Sequence, residues 1–172
     1  MHSSNLHPPL SLAIIALGSN LGDSAKIILE ALTRLEIFSA APILKSSLWE
    51  TSPVDCPPGS LKFVNAVAGL VPHENETPIK LLRNLRKLER QFGRRPKKVH
   101  NEARPLDLDL IAFGNATSHS PELILPHPRA HLRRFVLQPL SEIAPDFILP
   151  RQGKTVLALL AGLPPDEGIT RL

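Results

Sequence analysis

The stretch "RPLDLDLIAF", residues 104–113, permits few folds. Leu106, Leu108 and Leu110 alternate with Asp107 and Asp109. A period of two belongs to a strand with one apolar face and, here, one carboxylate face. Alternate residues of a strand lie about 6.6 Å apart along the chain. At an effective dielectric near 20, two charges about 7 Å apart repel by roughly 2 kcal/mol. A cation between or above the pair removes that cost. Mg²⁺ favours carboxylate oxygens completed by water and substrate phosphates, and such a pair could share one ion or hold two. From these residues alone, a solvent-facing pair on an edge strand stands as the alternative.

The same period runs through "KFVNAVAGLV", residues 62–71. Val64, Ala66, Ala68 and Leu70 share one face; Phe63, Asn65, Val67 and Gly69 share the other. Residues 12–17 read as a buried strand stopped by "GSN", and "ILKSSLWET", 43–51, as another. Helical patterns lie between. Asp23 can cap a helix over about 24–38, with Ile28, Leu32 and Leu35 on one face. Thr77 followed by Pro78 starts a second helix. Its stripe is Leu81, Leu85, Leu88 and Phe92, and Gly93 stands where a C-terminal cap belongs. After the aspartate strand come a short extended piece ending in "LPHP", a helix over about 130–138, and a short helix near 154–161. The order β-α-β-β-α-β predicts an α/β (α+β) ferredoxin-like sandwich: a mainly antiparallel sheet with helices packed on one face and a C-terminal extension. The other face is left for a ligand or for the C-terminal pieces. One domain is expected over 1–172, with a flexible leader over 1–11 and a tail over 151–172.

Composition narrows the function classes. A chain of 172 residues, 42% hydrophobic, can bury a sizeable core without staples. Its net charge of +4 suits an anionic partner such as nucleic acid, nucleotide or phosphorylated metabolite. The single cysteine, Cys56, allows no intrachain disulfide, argues against a zinc cluster and suits a reducing compartment. No apolar run approaches the roughly 18 residues that span a bilayer. "LAIIAL" is short for a signal-peptide core, and the leader before it lacks Lys and Arg.

Several residues could do chemistry. "GRRPKKVHNEAR" sets Arg94, Arg95, Lys97, Lys98 and Arg104 just ahead of the carboxylates. Cations beside a metal-ready pair suggest a polyphosphate clamp; a solvated basic loop is the alternative. "ALGSNLGD", 16–23, is a strand-to-helix turn that could offer backbone N–H groups to a ligand, or a plain tight turn. It is neither a Walker loop nor a dinucleotide fingerprint. Phe63 offers a stacking plane and Asn65 a paired donor and acceptor for a heterocycle edge. His127 and Arg133 flank a helix start. Trp49 and Cys56 read as packing and loop residues, and Glu89 by default as a solvent-face charge.

Together, "ALGSNLGD", "SLWETSPV", "FVNAV", "LERQFGR", "ARPLDLDLIAFG" and "LPHPRAHLRRFVLQPLSEIAP" resemble the 6-hydroxymethyl-7,8-dihydropterin pyrophosphokinases of folate biosynthesis, in the family's order and over residues 13–150. The resemblance implies the ferredoxin-like fold and transfer of pyrophosphate from MgATP to the pterin hydroxymethyl group, with release of AMP. It implies that Asp107 and Asp109 hold two Mg²⁺ ions and that Arg94 and Arg104 contact the phosphates, with Lys97 as an extra contact. It further implies nucleotide contacts for His127 and Arg133, a ribose-side position for Glu89, and a pterin sandwich of Phe63 and Phe135. Asn65 would hydrogen-bond the pterin, and Thr51, Ser52 and Val54 would line its pocket. The chain departs from the family pattern at Asn101 and Glu102, where "WG" is often found, at Pro96 in place of a loop arginine, and at Pro128 after the histidine.

Little covalent work would fall to such a protein; positioning and charge neutralisation carry phosphoryl-type transfer, and no side chain stands out as a general base. The basic loop is expected to close over ATP. The expected partners are ATP and the pterin, without nucleic acid or membrane, for a cytoplasmic monomer with no fused second enzyme. Two other readings share the pattern. A ferredoxin-like nucleic-acid module fits the basic charge, but its aromatic signature is missing. A two-metal nuclease or nucleotidyl transferase fits the DxD pair but wants further converging carboxylates.

Overall fold

The computed structural model describes residues 11–96, 98–100, 102–166 and 168–172. The expected leader, apart from Ser11, lies outside the described residues, as do Lys97 and Asn101. The chain runs β1 (Ala13–Ser19), α1 (Ser24–Leu35), β2 (Leu44–Lys45), β3 (Trp49–Thr51), β4 (Phe63–Leu70), α2 (Pro78–Gln91), β5 (Asp107–Phe113), β6 (Ser118–His119), β7 (Ile124–Leu125), α3 (Arg134–Ile143), α4 (Val156–Ala161) and β8 (Ile169–Arg171). The helix starts follow their caps. The Asp23 carboxylate accepts from Lys26 N, and the Thr77 hydroxyl accepts from Lys80 N ahead of Pro78. Gly93 takes φ +88° just past α2, a conformation that glycine adopts without a Cβ penalty.

The main sheet has the order β5-β1-β4-β3-β8, with β2 also on β4. Every pairing in it is antiparallel. α1 and α2 cover one face, where Ile28, Leu32, Leu35, Leu81, Leu85 and Leu88 pack on Val64, Ala66, Ala68, Leu70, Leu108 and Leu110. The alternation of β4, and of β5 as far as Leu110, is thus obeyed. The second face is not left free of helices: Val136, Leu137 and Leu140 of α3 and Val156 of α4 pack on Ile14, Val67 and Ile111. A register shift between Ile14 and Ile15 lets Ile111 and Ala112 both join this second layer. The sheet is therefore sandwiched, and a cavity remains beside the start of α3.

Three of the expected elements differ in form, and β8 is an added strand within the expected tail. The strand read over 43–51 is split into β2 and β3. Ser46 donates its N–H to Val67 O (3.0 Å), and its hydroxyl accepts from Val67 N (2.9 Å). A side chain thereby stands in for a backbone partner, and three residues, 46–48, face two on β4. Glu142 of α3 fixes the bulge, accepting from Ser47 N and Trp49 Nε1, both at 2.8 Å. The helix read over 24–38 ends its α part at Leu35 and finishes as a 3-10 turn. The helix read over 130–138 is a 3-10 turn, Ala130–Leu132, then α3, because Arg133 is extended between them.

Ser46→Ala should cost about 1–3 kcal/mol, since it leaves the buried Val67 N–H unpaired. Urea unfolding measures this; an unchanged midpoint would show that the bulge does not need the hydroxyl.

Candidate active site

Strand register builds the site. Gly18 of β1 lies opposite Asp107 on one side and Asn65 on the other; Asn65 lies opposite Trp49, and Trp49 opposite Arg171. Partners directly opposite in antiparallel pairs point to the same face. One row across the sheet therefore carries the carboxylate of Asp107, a gap at Gly18, and the amide of Asn65. A Cβ at Gly18 would come within 3.3 Å of Asn65 Oδ1 and 3.8 Å of a Phe63 ring carbon. Glycine keeps this floor open. Above it lies a cavity of about 650 Å³, within the range of small-molecule sites.

The carboxylate end is crowded with cations. Arg94 is shared between Glu89 and Asp107, and Arg104 Nε lies 3.4 Å from Asp107 Oδ2. Loss of water around the Asp109 carboxyl, with Asp107 adding to it, lifts its pKa to about 6 against the pull of Arg133, Arg104 and Arg94. Burial works against the charge of Arg94, yet Asp107 and Glu89 outweigh it and its pKa is raised. Burial instead prevails at Arg133, whose pKa is lowered.

Asn20 holds the turn to this end of the cavity. Its Oδ1 accepts from Arg104 N (2.9 Å), and its backbone N–H donates to Arg104 O (3.2 Å). That amide, in the turn expected to offer N–H groups to a ligand, is already engaged by the protein.

The other end is aromatic and amide-lined. Phe63 and Phe135 both line the cavity, Arg104 lies over the Phe63 ring at 5.9 Å, and Arg133 over Phe135 at 5.4 Å. Asn65, only 6% exposed, donates through Nδ2 to Thr51 Oγ1 at 2.7 Å. His127 N donates to Ile111 O (2.8 Å), and Arg129 N donates to His127 Nδ1 (3.2 Å). Nδ1 is thereby the acceptor nitrogen and Nε2 carries the proton. Burial, then Arg133 and Arg129, push the ring's pKa down to about 4.

Of the residues singled out in the sequence, Thr51, Ser52, Val54, Phe63, Asn65, Arg94, Arg104, Asp107, Asp109, His127, Arg133 and Phe135 line this one cavity. Lys97 lies outside the described residues. Glu89 is no solvent-face charge. It is 7% exposed, and it accepts from Leu108 N at 2.7 Å while gripping Arg94. It stands behind the wall rather than on it, and burial raises its pKa to about 7 against the Leu108 N–H and Arg94. Cys56, read as a loop residue, is on the wall, as are Asp55, Arg129 and Leu163–Asp166. No periodicity marks these; only the folded path of the loop and tail brings them in.

The family model for 7,8-dihydro-6-hydroxymethylpterin-pyrophosphokinase matches residues 14–145. The chain belongs to this family. The 2-amino-4-hydroxy-6-hydroxymethyldihydropteridine pyrophosphokinase of Pseudomonas aeruginosa is 38% identical over 159 residues, which make up 92% of this chain and 94% of that one. Its namesake from Synechocystis is 34% identical over 148 residues, 86% of this chain and 74% of the relative. Solved structures share the fold. Plasmodium falciparum HPPK-DHPS, wild type with SDX-DHP, superposes with a TM-score of 0.69 at 15% identity, covering 88% of this chain and 44% of that one. An HPPK-DHPS in complex with substrates gives 0.73 at 13% identity, covering 95% and 47%. The chain thus spans under half of those structures, and 19% of the Pneumocystis carinii folic acid synthesis protein fol1.

The carboxylate end of this pyrophosphokinase-family cavity fits a hard cation. Mg²⁺ is commonly held by one or two carboxylates with water and substrate phosphate completing its shell. Asp107 and Asp109 would supply the two, and among the described residues no group of three or more His, Cys, Asp or Glu gathers. An all-protein cage is not what these residues build.

The His127 pKa fixes one pH dependence. Its folded value, about 4, lies below the ordinary 6.5. Its contribution to stability is fully present above about 6.5 and is lost as pH falls through about 4. Urea midpoints measured across that window should fall more steeply for the wild type than for His127→Gln. Parallel curves would contradict the half-buried neutral imidazole.

Proposed function

We propose that this chain transfers pyrophosphate from MgATP to the hydroxymethyl group of 6-hydroxymethyl-7,8-dihydropterin, releasing AMP, as a step of folate biosynthesis. One observation carries this reading: a single cavity joins a carboxylate pair ringed by arginines to a pocket of two phenylalanines and a buried amide. The first is suited to a metal–triphosphate, the second to a flat heterocycle. Strand order and pairing support the ferredoxin-like class for the framework, built as one domain.

Phe63 and Phe135 would sandwich the pterin, Asn65 would hydrogen-bond its ring, and Thr51, Ser52 and Val54 would line its edge. The substrate alcohol then points along the row toward Asp107. Asp107 and Asp109 would hold the Mg²⁺, taken as two ions. When bound, the metal supplies phosphate-charge neutralisation and a lowered pKa for the alcohol. Arg94 and Arg104, which pair with Asp107 in the free protein, would turn to the phosphates as those arrive. Arg133 stands beside Asp109 to offset charge on the transferring group, and His127, neutral, presents Nε2–H as a donor. Glu89 serves by holding Arg94 and the Leu108 amide, one step removed from the nucleotide. Orientation and electrostatics thus provide the rate.

The other readings have less support. Five arginines, Arg94, Arg104, Arg129, Arg133 and Arg134, converge on the one cavity, an arrangement that suits a compact polyphosphate better than an extended nucleic-acid backbone. The sheet face that an RNA-recognition fold exposes is largely packed by α3 and α4. We take the protein to act on small molecules as a cytoplasmic monomer, in keeping with its single cysteine.

Incubation with MgATP and the dihydropterin should yield AMP; formation of ADP, or no pterin-dependent turnover, sinks the reading. Asp107→Ala and Asp109→Ala should each abolish turnover in a protein that stays folded by circular dichroism, and an active variant would remove the metal assignment. Asn65→Ala should raise KM for the pterin far more than KM for ATP. Equal effects would count against a role at the ring.

A further inference from the structure

The tail beyond residue 145 lies outside the family match, yet it reaches the site. Leu163, Pro164, Pro165 and Asp166 line the cavity. The chain then returns as β8, which adds to the outer side of β3, with Ile169 opposite Thr51 and Arg171 opposite Trp49. Ser52 N donates to Gly168 O at 3.0 Å, and Leu172 N to Leu48 O at 2.9 Å. The contact is close: a Cβ at Gly168 would come within 3.1 Å of both Ser52 Oγ and Asp166 Oδ1. Arg134 ties the tail down at its other end, with Nη2 donating to Leu163 O (3.1 Å) and to Pro164 O (2.8 Å). Arg134 sits between Arg133 and Phe135, so the anchor is continuous with the site.

We propose that this strap, Leu163–Asp166 together with β8, is the wall that holds the pyrimidine edge of the pterin. The inference rests on the pyrophosphokinase reading above. The reacting hydroxymethyl group must lie toward Asp107 and Asp109 on β5. The far edge of the ring, which carries the amino and carbonyl groups, then points across β4 to β3, the strand that the strap backs. Thr51 and Ser52 are held from behind by β8, and the two prolines close the side. Their fixed φ angles make the wall rigid before substrate arrives, which lowers the ordering cost of binding.

Steady-state kinetics on full-length protein tests this, with MgATP and 6-hydroxymethyl-7,8-dihydropterin each varied in turn. Arg134→Gln, which releases the two carbonyls, should raise the pterin KM by at least about tenfold, a ratio worth about 1.4 kcal/mol, and leave the ATP KM within about twofold. The double variant Pro164→Gly with Pro165→Gly removes no charge and no hydrogen bond from the fold. It should raise the pterin KM by about threefold or more through lost rigidity alone. It carries the test if melting shows Arg134→Gln to be unfolded. A folded variant with an unchanged pterin KM, or with both KM values raised equally, overturns the strap proposal while the AMP assay on the wild type still stands. A wild type that forms no AMP overturns the reading beneath it and the strap with it.

Discussion

Two carboxylates can stand side by side on the wall of a half-closed cavity only if something answers their charge. In this fold the answer is a set of guanidinium groups delivered by three separate segments. Arg94 comes from the turn after α2, Arg104 from the segment entering β5, and Arg133 from the extended residue before α3. Asp107 is paired directly with the first two, while Asp109 feels the third most strongly. Each segment is held by its own device: Glu89 on Arg94, Asn20 on the Arg104 backbone, and the 3-10 turn ahead of Arg133. The layout of the second helix layer follows, since α3 must begin where Arg133 can reach the aspartates and Phe135 can reach the cavity.

The arginines act as a stand-in counter-ion shell. A metal–triphosphate, as proposed for this site, would bring positive charge for the carboxylates and negative charge for the guanidiniums together. Asp107 could then exchange its internal ion pairs with Arg94 and Arg104 for pairs with the ligand, so these three charges would have partners at both stages. In the proposed reading the aromatic end would take a flat ring with polar edges, set against Phe63, Phe135 and an Asn65 already oriented by Thr51.

Much of this was legible in the sequence. The alternation in β4 and over Asp107–Leu110 of β5 assigned residues to their faces, and Asp23, Thr77 and Gly93 marked helix ends, because local chemistry alone decides these features. What escaped notice depended on distant partners. Ser46 splits a strand because Val67 lies across from it. Glu89 is buried because Leu108 and Arg94 come to it, although in its own helix it reads as a surface charge. β8 exists because β3 offers it an unpaired side, and three residues of "ITR" carry no strand signal by themselves. The row Asp107, Gly18, Asn65 could be assembled only once the register of three strands was known.

β5 is the last strand of its sheet, and its outer side would otherwise present a line of bare amides and carbonyls. Leu108 N–H is taken up by the Glu89 carboxylate, and Ile111 O by the His127 amide. Such an edge, left open, is a template for a neighbouring chain. The helix that supplies Glu89 and the turn that supplies His127 therefore shield the aspartate strand from self-association as well as furnishing the cavity. Loss of the Glu89 carboxylate would then be felt first as aggregation, before any turnover could be measured.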